Sequence, residues 1–207
     1  MEHVIWILVF FICTACNGQS KSKSTLVGGG CDGCELLYVG MPKHIPPVDT
    51  SDGWKEKGQR LHIAGRILQP GGKLPAAGVV LYYWQTDVSG YYSPGAATPV
   101  AAKRHGHTRG WVKTGADGTF HIYTNRPAPY PKDTMPAHIH VAIKEPSLNE
   151  YYIDEWVFND DPLLKPSIRA KMENRGGNGI MKVSKVNGVQ EVQQDVILGL
   201  HIPGYPR

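Results

Sequence analysis

The chain has 207 residues, 41% of them hydrophobic and 19% charged, with a formal charge of +4. That length suits one well-buried domain and is short for two. Lys and Arg are interspersed with acids, so the mild positive charge forms no concentrated stripe of the kind that binds nucleic acid. Gly (24) and Pro (16) are plentiful and Tyr outnumbers Phe ten to four, a mixture that favours many short strands joined by tight turns.

Val4 to Cys13 is an apolar run of the length of a signal-peptide core and about half that of a membrane span. Cys16 follows in Cys13-Thr14-Ala15-Cys16, similar to a bacterial lipobox, so residues 1–15 are expected to be a signal peptide and Cys16 a lipidated N-terminus. The start, Met1-Glu2-His3, lacks Lys or Arg and Cys13 stands where Leu is usual, which leaves an ordinary cleaved signal peptide as the alternative. Residues 16–30, rich in Ser, Lys and Gly, are expected to form a tether. Residues 31–207 are expected to be the folded domain. It opens on Cys31-Asp32-Gly33-Cys34; no further Cys is present to complete a zinc site, and in an exported protein the pair is expected to form a short disulfide.

Gln59 to Leu68 alternates loosely and ends in the turn signal Gln69-Pro70-Gly71-Gly72, and Ala77 to Trp84 is apolar and aromatic enough for a buried central strand. Residues 93–110 show no periodicity and predict a long loop, the kind that tends to carry function. Trp111 to Thr124 predicts a hairpin turning at Ala116-Asp117-Gly118. Arg126 to Pro136 holds four prolines and is excluded from helix and from central strand. His138 to Lys144 and Tyr152 to Phe158 predict strands, and Asp160 to Met172 a short helix. Lys182 to Leu198 predicts a last hairpin about Asn187-Gly188. The expected fold is all-β: a β-sandwich with long loops and at most one short helix.

His138-Ile139-His140 is the sharpest local feature. On a strand the two imidazoles point to one face, about 7 Å apart along the backbone, as a pair of metal ligands would. Two histidines also share a wet sheet face without binding anything. A cupin-type site would add Glu145, yet Glu145 lies where the strand ends, and Lys132 occupies the place of the cupin glycine. Upstream, Tyr130 is held between Pro129 and Pro131, which either fixes a phenol at one point in space or simply makes a surface turn. Tyr92 follows the aromatic strand, with Tyr91, Tyr82 and Tyr83 as competitors nearby.

The order Gly65-Arg66, Trp84-Gln85, Gly90-Tyr91-Tyr92, Asp117-Gly118, Pro129-Tyr130-Pro131, Pro136-Ala137-His138-Ile139-His140 and Asp161-Pro162-Leu163 resembles the catalytic domain of the intradiol ring-cleavage dioxygenases, nearest the protocatechuate 3,4-dioxygenase type. The resemblance runs from about residue 60 to 165. It implies a β-sandwich holding non-haem Fe(III) through Tyr92, Tyr130, His138 and His140, with Tyr130 the ligand that leaves and takes a substrate proton. It further implies a catechol-type substrate, O2 as co-substrate and assembly into homo-oligomers. One position departs from the family: the arginine usual three residues before the first metal histidine is Met135, leaving Arg104, Arg109 or Arg126 to supply a cation. The same fold without that cation also suits a non-catalytic lipoprotein that binds iron or an aromatic ligand. His105 and His107, in the long loop, are candidate substrate contacts, with exposed loop histidines as the favoured expectation.

Overall fold

The computed structural model describes residues 26–206; the expected signal peptide, Cys16 and most of the expected tether lie outside them. In chain order the strands are β1 (Val48–Thr50), β2 (Arg60–Leu68), β3 (Val80–Gln85), β4 (Arg109–Lys113), β5 (Thr119–Asn125), β6 (His138–Lys144), β7 (Tyr151–Tyr152), β8 (Trp156–Phe158), β9 (Ile180–Met181), β10 (Ser184–Val186), β11 (Val189–Gln193) and β12 (Val196–Ile197). The described helix is short: α1 spans Pro166–Arg169, and 3-10 turns cover Cys34–Tyr38, Asp52–Lys55 and Val100–His105.

Two mixed sheets pack face to face, as the all-β expectation required. The first runs β1-β5-β2-β11-β10, with β12 also on β2; the second runs β4-β3-β6-β8-β9, with β7 also on β6. Alternation along β2 turns Leu61, Ile63 and Ile67 inward, where they join Leu81, Val112, Ile139, Val141 and Ile143 of the second sheet. Phe120 stacks on Trp156 within this core, with centroids 6.1 Å apart. Each such side chain contributes roughly 1.5–3 kcal/mol on burial. Gly65 is required by packing, because a Cβ there would come within 1.9 Å of the Gln194 carbonyl oxygen.

Several expectations are met. The strand expected over 138–144 has those bounds, the Asn187-Gly188 turn joins β10 to β11, and the helix expected within 160–172 is α1. The hairpin expected over 111–124 is not formed. β4 pairs with β3 and β5 with β2, so the chain crosses from one sheet to the other at residues 114–118. Val112 and Phe120 then enter the same core from opposite sheets, and alternation alone cannot separate this arch from a hairpin. The 152–158 strand is two short pieces, β7 and β8, both on β6. The end of the expected tether lies on the domain: Val27 is buried, and its N–H and C=O both bond the Asn149 side-chain amide.

The outer face of the second sheet matters most. Tyr82, Trp84, Trp111, His138, His140 and Ala142 point away from the core there, and the Cys31–Tyr38 segment covers part of it. Cys31 and Cys34 are disulfide-bonded, as expected. Cys34 and Leu37 pack on Tyr82 and Trp84, and the Trp111 indole N–H donates to the Leu37 carbonyl at 2.8 Å.

Candidate active site

His138 and His140 project from β6 on that outer face, as the period of a strand dictates. The start of β6 is fixed from outside the sheet. Buried Asp161 accepts the Ala137 N–H at 2.8 Å and the Leu163 N–H at 2.8 Å, which gives the Asp161-Pro162-Leu163 sequence a physical role. The His138 Nδ1–H donates to the Pro136 carbonyl at 2.8 Å. A carbonyl only accepts, so this bond fixes the tautomer and leaves an Nε2 lone pair facing outward.

The two tyrosines come from loops that are tied to each other. Asp87 accepts the Ser89 N–H (2.8 Å), the Tyr91 N–H (3.2 Å) and the Ser93 hydroxyl (2.6 Å), bracing the turn that carries Tyr92. Burial raises the Asp87 carboxyl, but the Ser93 hydroxyl and the two amides outweigh it and hold the group below its ordinary value. Thr86 Oγ1 donates to the Ala128 carbonyl and the Ala128 N–H donates to the Asp87 carbonyl, so this turn sits against the proline-rich segment bearing Tyr130. Gly90 makes the approach possible: its φ is +84°, and a Cβ would lie 2.3 Å from the Pro129 carbonyl oxygen.

All four side chains singled out in the sequence meet. Tyr92 Oη lies 2.5 Å from Tyr130 Oη and 2.9 Å from His140 Nε2; Tyr130 Oη is 3.1 Å from His138 Nε2; the two Nε2 atoms are 3.2 Å apart. Donors bound to one small cation at about 2.0–2.1 Å would be separated by roughly 3 Å, so the quartet fits a metal without rearrangement. The protonation states agree with such a role. Burial, then the neighbouring imidazoles of His138 and His105, lower His140 to about 3, which favours the neutral, ligating ring at ordinary pH. Burial raises both phenols above their usual range, and the bond to Tyr130 raises Tyr92 further. A cation is what would convert them to phenolates. Hard oxygen donors beside two imidazoles suit ferric iron.

The quartet forms the floor of a cavity of about 630 Å³. Trp84, His105 and Tyr152 give it an aromatic wall, and Met135, Ile168 and Met172 an apolar one. Trp84 stacks on His140, with centroids 4.9 Å apart, and on His105, at 4.1 Å with the planes 1° apart. His105 is therefore buried, contrary to the expectation of an exposed loop histidine. Burial, then the cations Arg104 and Arg109, lower it to about 4. His107 bonds Glu56 and the Ser93 carbonyl instead of facing the cavity. Glu145 is remote from the quartet and accepts the hydroxyls of Tyr151 and Tyr205, which removes the support for a cupin-type site.

The cations divide. Arg109 lies over Tyr82 and Trp111, and Arg126 pairs with Asp160 beneath Phe158; neither lines the cavity. Arg104 does, bound to Asp32 and Glu35. Lys171 and Arg175 also line it and were missed from sequence, as was Glu155, whose carboxylate stands 3.7 Å from His140 Nδ1. No local pattern marks Glu155, because only the β6–β8 register sets it beside His140.

The described fold is a β-sandwich, with the four side chains that the family resemblance implies brought together on one sheet face. The chain matches the sequence profile of the Dioxygenase family over residues 39–198, and it belongs to the intradiol ring-cleavage dioxygenases. It is 30% identical over 123 residues to 6-chlorohydroxyquinol 1,2-dioxygenase of Cupriavidus pinatubonensis, covering 52% of this chain and 42% of that protein. It is 31% identical over 158 residues to catechol 1,2-dioxygenase 1 of Acinetobacter lwoffii, covering 65% and 50%. The chain thus spans about half the length of these curated relatives. Among solved structures it is similar to the dioxygenase domain of a dioxygenase–carbohydrate-binding protein fusion from Streptomyces sp. SirexAA-E, at 25% identity and TM-score 0.56, covering 76% of this chain and 91% of that one. Acinetobacter radioresistens catechol 1,2-dioxygenase shares the fold at TM-score 0.59 and 16% identity, covering 79% of this chain and 61% of that one.

Proposed function

We propose that this protein is an exported, non-haem Fe(III) intradiol dioxygenase that opens a catechol-type ring with O2. The observation that carries this reading is the convergence of Tyr92, Tyr130, His138 and His140 at the floor of an aromatic-walled cavity. Held by those four side chains, ferric iron would supply the Lewis acidity that activates a chelated catechol toward O2. The chain's own part is orientation and proton transfer. Tyr152, partly buried on the cavity wall, offers a flat surface to an aromatic ring, with Trp84 and His105 packed in the same wall. Tyr130, a phenolate where it holds the ion, would take up a catechol hydroxyl proton as the general base. Tyr92 is braced by Asp87 on both sides, whereas Tyr130 borders the exposed turn 131–135 and has more room to withdraw.

The test is the visible spectrum of the protein loaded with iron(III), followed by oxygen uptake with a panel of catechols. A broad tyrosinate-to-iron band and a ring-opened product support the enzyme. A colourless protein that opens no catechol overturns it.

Met135 favours a second reading, a non-catalytic lipoprotein that binds iron or an aromatic ligand on the same fold. Met135 lines the cavity where the family carries a cation, and Arg109 and Arg126 do not replace it. A preorganised charge at such a position is worth about 10²–10³ in rate. An iron-coloured protein that binds catechols without opening them would establish this second reading. Export and membrane attachment rest on residues 1–16: wild type is expected to partition with membranes and Cys16→Ser to be released, and equal release of both would sink the lipid anchor.

A further inference from the structure

The residues lining the cavity carry an unusual charge balance. At the rim, Arg104 is paired with Asp32 and Arg175 with Glu173, while Asp154 accepts the backbone N–H groups of Asn174 and Arg175. Lys171 is exposed at the mouth. Glu155 stands beside the quartet. β8 pairs with β6 so that Val157 is opposite His138 and Trp156 opposite Ile139. One step further along this antiparallel register, Glu155 falls opposite His140 and on the same face of the sheet. Its carboxylate lies 3.7 Å from His140 Nδ1, with 51% of the side chain accessible, and no described Lys or Arg comes within 4.0 Å of it. In a chain whose formal charge is +4, a carboxylate thus stands beside the quartet without a described Lys or Arg partner.

We infer that Glu155 makes this site selective for catechols that carry an ammonium group on a short side chain. The inference rests on the catechol reading of the same site. A ring seated on the quartet strips water from the carboxylate, which costs several kcal/mol unless a counter-charge replaces that water. The Glu155 carboxylate lies beyond the His140 imidazole, 3.7 Å from its Nδ1, and lines the cavity, so a substituent of a bound ring directed to that wall meets it. An ammonium there forms a charge-assisted hydrogen bond. A neutral substituent leaves the carboxylate desolvated, and a carboxylated ring adds repulsion, so discrimination has both an attractive and a repulsive arm. Met135 acts in the same direction, since the place that would favour an anionic ring holds a thioether.

The test compares the iron-loaded full chain with its Glu155→Gln variant. Binding is measured by calorimetry with tyramine, 4-ethylphenol and 4-hydroxyphenylacetate, phenols that share a ring and differ in charge. Ring opening is measured with dopamine and 4-methylcatechol. Wild type is expected to prefer tyramine to 4-ethylphenol by at least about tenfold, or about 1.4 kcal/mol, and to disfavour the anion. The dopamine to 4-methylcatechol ratio of kcat/KM should follow, and both preferences should fall to near unity in Glu155→Gln. A role of Glu155 limited to orienting His140 would change all ligands alike and leave the ratios in place. A protein that opens 4-methylcatechol without charge preference, or whose preference survives the substitution, overturns this inference while the dioxygenase reading stands. A protein with no tyrosinate band and no binding of any phenol overturns both.

Discussion

The imidazole of His140 lies nearly parallel to the indole of Trp84, with centroids 4.9 Å apart and planes 14° apart. The two residues face each other across the β3–β6 ladder, so a buried strand residue sets the ring plane of a candidate metal ligand. Trp84→Ala is expected to cost about 3–5 kcal/mol of stability and to release His140. Loss of an orienting neighbour typically weakens metal binding about 10–100-fold. Thermal unfolding and iron content per chain check both effects, and Trp84→Phe, which keeps a ring in place, should recover most of the iron.

The quartet itself separates into roles. Tyr130→Phe keeps the ring and removes the oxygen, so the fold should survive while the tyrosinate band weakens and oxygen uptake with catechol disappears. His138→Ala should lose iron as well. Full oxygen uptake in either variant would show that these side chains are not the site.

Asp87 braces the turn under Tyr92 through charge-assisted bonds that a neutral amide makes less well. Asp87→Asn is expected to cost about 1 kcal/mol, the low end because the group is partly in water, and to broaden the tyrosinate band. The pH dependence has a definite sign. Burial opposes ionisation here, but the Ser93 hydroxyl and the amides win and lower the folded-state value. The stabilisation is therefore present above the ordinary carboxylate value near about 3.9 and is lost as pH falls through the lower folded value. The stability difference between wild type and variant should begin to shrink as pH falls below about 4 and close below the lower folded value, which an acid titration followed by fluorescence will show.

Glu145 discriminates between metal-site architectures. It accepts hydroxyls from Tyr151 (2.7 Å) and Tyr205 (2.9 Å), joining the 145–152 loop to the C-terminal segment. Glu145→Gln should lower stability by about 1–2 kcal/mol and leave iron content unchanged. Loss of iron would revive a cupin-type assignment.

What the sequence determined by itself was local. The period of a strand put His138 and His140 on one face, two prolines restricted Tyr130, and Asn187-Gly188 placed a turn where φ is positive at both residues. The ordered motif carried the family. Tertiary structure decided everything that depends on which strand lies beside which. The same alternation over 111–124 serves a hairpin or an arch, and only the pairing of β4 with β3 and of β5 with β2 chose the arch. His105 belongs to a stretch without periodicity and became buried because Trp84 offered it a flat partner. Arg109 and Arg126 were equal to Arg104 as candidate cations in the sequence, and packing on Trp111 and Phe158 turned them away from the cavity. Glu155, fifteen residues beyond His140, became its neighbour through the register of β8 on β6. Periodicity along a chain reports which face a side chain takes; pairing between strands, which no local pattern encodes, decides what that face meets.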